Sequence, residues 1–509
     1  MANSTPQLDS TIAPTVLDRP RRRWGGGGCS RRAAASSLRW EERFASFYEQ
    51  ARSEAPRRHN YYYYQRIQKR LAGVIEPNKR VLDIGCGDGR LLASLRPAEG
   101  IGVDLNRGTI EAARQRHPKM RFLQMRGEDV HRLDAQFDYV IISQVLGEIY
   151  DLRRLFQSVQ GVCHAETRLI VVHWSRLWQP ALKVAEWLRI KKPSPEQNWV
   201  PADEVRHLLG LSGFDTVRSF TMTIAPLRVP LVSEFLNRFV ANLPVVNNLG
   251  LNYVIVARPV TPAAISAARP HSLSIVVPAR NEAGHIKPLL ETIPSMAPRQ
   301  EVVFVEGGST DDTWQAIQDA ALAYKGPFDI KLLQQDGTGK GDAVRDGFAA
   351  ATGDVLMILD ADISVPPEEL PQFYEAIAEG RGEFINGSRM VYLMDRKAMR
   401  FLNLLGNKLF GWLFSYMLSQ RFRDTLCGTK VLTRENYRRI AANRSFLGDF
   451  DPFGDFDLLF GASKLNLKII DMPVHYKERT YGATNISRVR HGLMLLRMSL
   501  IAAWKLKWV

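Results

Sequence analysis

The stretch VLDIGCGDG, Val81 to Gly89, decides how the first half of the chain is read. Apolar residues run from Val81 to Ile84, broken only by Asp83, and glycines follow at Gly85, Gly87 and Gly89 before a helical pattern begins. A buried strand that opens through bare backbone onto a helix N-terminus brings main-chain amides up to a bound molecule. Asp104 closes the next predicted strand, where an acid can accept both hydroxyls of a ribose. The third glycine comes one residue too early for the dinucleotide pattern GxGxxG, and Arg90 stands where that pattern packs a glycine or alanine. A nucleoside with an amino-acid tail, whose ammonium calls for a carboxylate such as Asp83, suits this loop better than a dinucleotide.

Outward from the loop, Arg80 to Ile84, Ile101 to Asp104, Phe137 to Ile142 and Leu169 to Val172 read as buried strands separated by helical stretches. Such alternation predicts a mainly parallel sheet covered by helices. Residues 261–272 (TPAAISAARPHS) are small, Pro-containing and aperiodic, which marks a linker. A second alternating series then starts at LSIVVPA (Leu273 to Ala279), continuing at Glu301 to Gly307 and Asp354 to Asp362. The fold class expected is therefore α/β, in two domains that are each a mainly parallel sheet with flanking helices. Their boundaries fall at 1–38 for a disordered basic arm, 39–260 for the first domain, 261–272 for the linker and 273–509 for the second.

With 509 residues the chain is too long for one compact domain, and its 45% hydrophobic and 24% charged content excludes wholesale disorder and fibrous classes. A net charge of +15 suits an anionic partner, and no recognised nucleic-acid motif accompanies it, so phosphates and an acidic membrane face are favoured over nucleic acid. The four cysteines, Cys29, Cys86, Cys163 and Cys427, form no CxxC pair, which excludes a disulfide framework or a cysteine zinc site and fits a reducing cytosol. The basic run Arg21 to Arg23 leads into Gly25 to Gly28 rather than an apolar stretch, so a signal peptide is not expected. No run of 18 residues is apolar throughout. Two segments come near it. Residues 399–419 place Asn403, Asn407, Gly411, Ser415 and Ser419 in a polar stripe on an apolar helix, and residues 493–509 end in Trp504, Lys505, Lys507 and Trp508, a pairing suited to a headgroup boundary. Each reads either as a core helix or as a helix lying on a membrane.

The chemistry of the second half sits at strand ends. ILDADISVPP places Asp360 and Asp362 directly after the apolar run Val355 to Leu359, where alternation puts both carboxylates on one face to share Mg²⁺ or Mn²⁺ and the diphosphate it neutralises. PARNE (Pro278 to Glu282) closes the first strand of this half and EGGSTDDT (Glu306 to Thr313) the second. GTGKGDAVRDG (Gly337 to Gly347) adds flexible amides with Lys340 and Arg345, suited to anionic oxygens.

These residues carry two resemblances. Residues 40–258 resemble class I S-adenosylmethionine-dependent methyltransferases, with a Rossmann-like fold. That implies S-adenosylmethionine as cofactor, Asp83, Gly85, Gly87 and Gly89 at its methionine end, Asp104 on the ribose, Asp129 of RGEDV as the adenine-side acid, and Phe137 to Asp151 as the fourth-strand motif. Glu148, His173 and Trp174 are candidates for a role near the methyl acceptor, although many methyl transfers need only alignment. From Ser272 onward the chain resembles the family 2 inverting glycosyltransferases of GT-A type, within them the dolichyl-phosphate and polyprenyl-phosphate hexose synthases. By that likeness Pro278, Arg280, Glu282, Glu306, Asp311, Lys340 and Asp360 surround the nucleotide sugar, and Asp362 with Asp360 holds the metal. Arg389 of INGSRM matches the sugar-phosphate arginine, Lys430 closes DTLCGTK, Asp455 and Asp457 of GDFDLLF occupy the acceptor-side acidic position, and Arg479 meets the lipid phosphate. Three departures stand out. Gly307 follows Glu306 where two acids are usual, Asn485 replaces a common lysine, and the separate spanning helices of some relatives are absent.

The activities expected are glycosyl transfer from a nucleotide sugar to a polyprenyl-phosphate-type acceptor, by a protein peripheral on the cytoplasmic face of a membrane, plus methyl transfer to a second acceptor. The alternative is transfer to a soluble or saccharide acceptor, with the first half a non-catalytic S-adenosylmethionine-binding module.

Overall fold

The computed structural model describes residues 40, 42–44, 46–47, 61–188, 195, 197–260, 271–392, 401–444, 454–477, 481 and 488–508. The basic arm, most of the linker, Arg479 and Asn485 lie outside them.

Seven strands form the first sheet: β1 Arg80–Ile84, β2 Glu99–Asp104, β3 Arg121–Gln124, β4 Phe137–Ser143, β5 Cys163–Trp174, β6 Phe214–Met222 and β7 Asn252–Pro259. Their order is β3-β2-β1-β4-β5-β7-β6, parallel except that β7 runs antiparallel to both β5 and β6. The order reverses direction between β1 and β4, so the loops after β1 and β4 open onto one crevice at the C-terminal edge, where α/β sheets bind ligands. All four strands predicted for this half are present, and β7 is buried along its whole length.

The second sheet comprises β8 Leu273–Ala279, β9 Gln300–Glu306, β10 Asp329–Gln334, β11 Val355–Ile358, β12 Phe384–Ser388, β13 Lys430–Thr433 and β14 Ile469–Pro473. They are ordered β10-β9-β8-β11-β13-β12-β14, with β13 antiparallel to β11 and β12 and the other pairs parallel. Strand alternation divides the apolar residues between the two faces. Val276, Val303, Val305, Leu356 and Ile358 pack into the core on one side. Ile275, Val277, Val302, Phe304, Val355 and Met357 pack into that on the other. A sheet covered on both faces needs continuous apolar runs rather than alternating ones, which is why these strands stood out in the sequence.

The helix Phe401–Leu418 inverts the usual arrangement. Its polar stripe faces inward: Asn407 Nδ2 donates to Asp424 at 2.9 Å, Ser415 Oγ accepts from Phe422 N at 2.8 Å, and a side chain at Gly411 would press on Arg423 O at 3.0 Å. Phe410, Phe414, Met417 and Leu418 are also buried, while Leu405, Leu409 and Trp412 are exposed. The helix is thus both core and surface, and its outer face is apolar apart from exposed Lys408. The C-terminal helix Arg488–Ala502 behaves likewise, burying Leu495 and Met498 and exposing Leu493, Leu496 and Leu500. Trp504 is exposed as a headgroup boundary needs, but Lys507 is buried and donates to Tyr416 O at 3.1 Å. No helix among the described residues is long and apolar enough to cross a membrane.

The domains meet through charge. Arg168 on β5 is buried, and its Nη2 donates to Glu383 Oε1 and Oε2 at 2.7 and 2.8 Å while Nε donates to Asn466 O at 2.8 Å. Lys468 Nζ reaches back to Asp215 Oδ1 at 2.9 Å, and Arg258 Nη2 donates to the carbonyls of Gly380 and Arg381 at 2.8 and 2.9 Å.

Candidate active sites

In the first domain the loop after β1 turns through left-handed backbone at Gly85, Gly87 and Gly89 (φ 76°, 54° and 78°), which L side chains rarely adopt. Space excludes side chains too: a Cβ on Gly85 would lie 2.8 Å from Val145, and one on Gly89 would lie 2.7 Å from Phe122. Asp104, at the end of β2, locks the loop, since its Oδ2 accepts from Gly87 N at 3.0 Å and its Oδ1 from Asn106 N at 2.9 Å.

Asp83 is the chemically exposed member of the set, though it is sterically buried. It is 1% accessible and neither carboxylate oxygen has a hydrogen-bond partner. Burial, reinforced by the nearby Asp104, pushes its pKa up to about 7. An orphaned buried carboxylate beside a glycine loop is the complement of an ammonium, so the residues present fit the methionine end of S-adenosylmethionine.

Asp129 stands on the turn Gly127–Arg132, with its carboxylate 3.4 Å from Arg154 and 3.6 Å from Arg132. His173 is pushed down to about 4 by burial, only partly offset by Asn198 O, so its imidazole is neutral near pH 7. Trp174 stacks on Tyr63 at 5.3 Å, and Tyr63 Oη donates to Asn252 Oδ1 at 3.0 Å. Both residues stand at the C-terminal end of β5, His173 buried and Trp174 half-buried against Tyr63. Glu148 lies in the short turn Leu146–Glu148, its carbonyl accepting from Trp40 Nε1 at 2.7 Å.

In the second domain the ends of β8, β9, β11 and β13 converge. Lys340, the first residue of the helix Lys340–Ala350, places Nζ 2.6 Å from Asp360 Oδ1. Burial opposes the charge on Lys340, but Asp360, Asp455 and Asp362 together outweigh it and hold the ammonium protonated. Asp362 Oδ1 accepts from Ser364 N at 3.1 Å, and Ile363 between them is held at φ 53°. Asp360 and Asp362 are the two carboxylates that the end of β11 brings beside Lys340. No group of three or more His, Cys, Asp or Glu suited to a metal occurs among the described residues. The donor set therefore fits Mg²⁺ or Mn²⁺ completed by diphosphate oxygens and water rather than a cation caged by protein alone.

The two acids of GDFDLLF separate. On the helix Asp455–Lys464, positions two apart face opposite ways. Asp455 Oδ1 lies 2.9 Å from Lys430 Nζ and near Lys340, whereas Asp457 Oδ2 pairs with Arg444 at 2.7 Å. Asp455 belongs to the cluster and Asp457 points away from it. Lys430 is fully buried, its Nζ donating also to Cys427 O, so it positions Asp455 and is shielded from a lipid phosphate. Arg389 is committed in the same way: Nε and Nη2 grip Asp424 at 2.7 and 2.9 Å, and the guanidinium lies 5.0 Å from the Tyr476 ring. Burial would raise the pKa of Asp424, but Arg389 overrides it and holds it near 2. Arg389 was expected to meet the sugar phosphate directly; desolvation makes its buried carboxylate partner the stronger claim.

Several nucleotide-side residues also shape the loops. Asp311 caps Thr313 N at 3.1 Å and reaches Ala283 N at 3.5 Å, Glu306 Oε1 accepts from Ser309 N at 2.5 Å, and Glu282 Oε2 pairs with His285 Nδ1 at 2.7 Å. Arg280 is exposed at the mouth beyond β8, next to half-buried Pro278. Sequence reasoning did not single out Asn281, left-handed at φ 58°, whose Oδ1 accepts from Thr310 N at 2.8 Å and ties the two loops together. Nor did it single out Gly428, where a Cβ would collide with Asp360 and lie 2.5 Å from Lys340 Nζ. The only available signal was its place inside DTLCGTK.

Comparison with known proteins finds a match for each domain. Residues 57–219 match the family described as methyltransferase domain, and residues 274–443 match glycosyl transferase family 2. Glycosyltransferase AglD of Haloferax volcanii is 29% identical over 252 residues, covering 48% of this chain and 39% of that protein. Undecaprenyl-phosphate 4-deoxy-4-formamido-L-arabinose transferase of Pseudomonas fluorescens is 28% identical, covering 43% of this chain and 61% of that protein. The chain thus spans less than two thirds of the length of either relative. Among solved structures, a SAM-dependent methyltransferase of Thermotoga maritima, described as a possible histamine N-methyltransferase, aligns at 18% identity and a TM-score of 0.32 over 43% of this chain and 99% of its own. The chain carries a methyltransferase domain, matched over residues 57–219, followed by a family 2 glycosyltransferase domain, matched over residues 274–443.

Proposed function

We propose that the second domain transfers a sugar from a nucleotide sugar to a polyprenyl-phosphate acceptor on the cytoplasmic face of a membrane, and that the first transfers a methyl group from S-adenosylmethionine to a separate acceptor. The observation that carries the reading is the convergence of Lys340, Asp360, Asp362 and Asp455 at the ends of the second sheet. Asp362 and Asp360 hold a divalent cation, which supplies charge neutralisation to the departing nucleoside diphosphate. Lys340 sets the orientation of Asp360 and adds positive charge beside that leaving group. Lys430 fixes Asp455, and Arg389 is fixed by Asp424, so both shape the acceptor side rather than react there. A phosphate acceptor arrives ionised and needs alignment more than a base. Were a hydroxyl the acceptor, Asp455 rather than Asp457 is placed to take its proton. In the first domain Asp83 holds the methionine ammonium and Asp104 the ribose, while neutral His173 is unsuited to act as a cationic group.

The exposed apolar face supports the lipid acceptor. Leu405, Leu409 and Trp412 on one helix and Leu493, Leu496, Leu500 and Trp504 on another are exposed. Phe239 extends the face into the first domain at 6.2 Å from Trp504, followed by exposed Phe235. A patch of this kind with nearby cations suits the interface of an anionic bilayer. The relative named as an undecaprenyl-phosphate sugar transferase points to the same acceptor class.

The test is incubation of the purified protein with common nucleotide sugars, Mg²⁺ and polyprenyl phosphate in vesicles, analysed by mass spectrometry. A lipid-linked sugar is expected. Product only on soluble acceptors, with no vesicle binding, would sink the lipid reading while leaving glycosyl transfer intact.

A further inference from the structure

Most of the seam between the domains is matched in charge, as the pairs of Arg168 with Glu383 and Lys468 with Asp215 show. One part is not. A small cavity is lined by Arg70, Arg218, Phe220, Lys464 and Leu506, contributed by both domains, and Lys507 lies next to it. The guanidinium groups of Arg70 and Arg218 lie 4.9 and 5.6 Å from the one Phe220 ring. Arg218 Nε is buried with no hydrogen-bond partner.

The remaining cations lean on carbonyls at helix ends. Arg70 Nη1 donates to Lys507 O at 3.1 Å, Lys464 Nζ to Gly73 O at 3.1 Å and Lys507 Nζ to Tyr416 O at 3.1 Å. Each helix C-terminus offers only about half a negative charge. Glu76, a carboxylate that acts on Lys464, is shared with Arg439 at 3.3 Å and with the Tyr139 hydroxyl at 3.0 Å. Burial first, and then neighbouring cations, Arg70 and Arg218 for Lys507, Arg70 for Arg218 and Arg66 for Arg70, push Lys507 down to about 7 and Arg70 and Arg218 to about 10. Among the described residues no carboxylate acts on Arg70 or Arg218, so this pair of guanidinium groups lacks a counter-charge. A planar guanidinium with a free buried Nε, beside ammonium groups, is the donor arrangement that a tetrahedral oxyanion satisfies.

We propose that this seam binds a phosphate group, and that the ligand bridges the methyltransferase and glycosyltransferase domains at a place separate from both active sites. The phosphate comes either from a free ion or from a lipid headgroup reaching past Leu506.

Thermal unfolding of the full-length protein, titrated with inorganic phosphate at constant ionic strength in chloride, tests the proposal. A saturable rise in midpoint is expected. Lys464→Met and Arg218→Gln should each weaken the apparent phosphate affinity at least tenfold. Because each removes a cation from a self-repelling cluster, their midpoints in phosphate-free buffer should stay level or rise, an outcome that a merely structural role would not give. Lys340→Met, in the nucleotide-sugar site, should keep the response. If Arg218→Gln fails to fold, Arg218→Lys and Lys464→Met carry the comparison. Dihexanoyl phosphatidate binding at least tenfold tighter than inorganic phosphate identifies a lipid headgroup as the source, and equal binding identifies the free ion. No saturable response in the wild type, or an undiminished response in the seam variants, overturns the proposal.

Discussion

Lys340 Nζ stands 2.6 Å from Asp360 Oδ1, and Gly428 packs against that pair so closely that no side chain could stand there. Three segments far apart in sequence thereby fix one carboxylate. Its neighbour Asp362 is held differently, through the turn that Ser364 N makes onto Oδ1. Asp360 is thus paired with Lys340, while Asp362 accepts from backbone and also acts on Lys340, and the proposed cation site rests on both acids.

That difference makes Asp362→Asn a clean test. Asparagine keeps an Oδ1 to accept from Ser364 N, so the unfolding midpoint should hardly move. The lost charge should lower sugar transfer on the order of 10²-fold or more. Single-turnover transfer measured against Mg²⁺ concentration checks it. Unchanged rate and unchanged cation dependence would remove the basis for the proposed glycosyl transfer.

Gly428→Ala tests the packing around the pair. The added methyl must part Lys340 from Asp360 or displace the strand that follows, and overpacking of this kind costs about 1–3 kcal/mol. Transfer should fall at least tenfold, with the loss in kcat rather than in KM for the acceptor. A variant with wild-type kcat would show that the contact is incidental to the chemistry.

Asp83 yields two pH dependences of opposite sign. Its folded pKa is raised to about 7 from an ordinary value near 4, so the folded state without cofactor holds a proton that the unfolded chain releases. Stability is therefore lost as pH rises from about 4 to about 7, by about 1.4 kcal/mol per unit of separation at most. Binding of S-adenosylmethionine should instead strengthen as pH rises through 7, because its ammonium needs the ionised carboxylate. Asp83→Asn should raise the midpoint at pH 8 without cofactor and abolish this pH dependence of binding. Calorimetric titrations at pH 6 and pH 8 decide it, and equal affinities at the two would count against Asp83 as the ammonium partner.

The strands were legible because both sheets bury both faces, and a strand such as Val355 to Leu359 must then be apolar without interruption. The glycine loop was legible because a left-handed turn and a close approach leave few residues to choose from. What a side chain faces was not legible. The stripe Asn407, Gly411 and Ser415 looked like the wet side of a helix and is the dry side, because its partners are backbone and carboxylate groups of residues 422–424 brought in by the fold. Asp455 and Asp457 were equivalent on paper, and only helix geometry with Lys430 on one side and Arg444 on the other distinguishes them. Arg389 read as a phosphate ligand because a sequence shows charge and hides the buried acid that neutralises it.

The same hidden pairing governs how the domains are joined. Arg168 is buried against Glu383, which burial alone would make a weaker acid but which Arg168 and Arg258 hold ionised. Removing one member of such a pair leaves the other charge desolvated, at a cost of about 3–5 kcal/mol. Arg168→Met should therefore lower the unfolding midpoint of the whole protein, and it should do so for probes in both domains, since Glu383 lies beside β12 and Arg168 within β5. Arg168→Met combined with Glu383→Leu should recover much of the loss, because neither member of that pair is then left buried alone and Arg258 keeps Asp215. Differential scanning calorimetry of the two variants checks this. If the single variant unfolds its first domain early while the second keeps its wild-type midpoint, the interface does not couple the domains, and each would be free to work without the other.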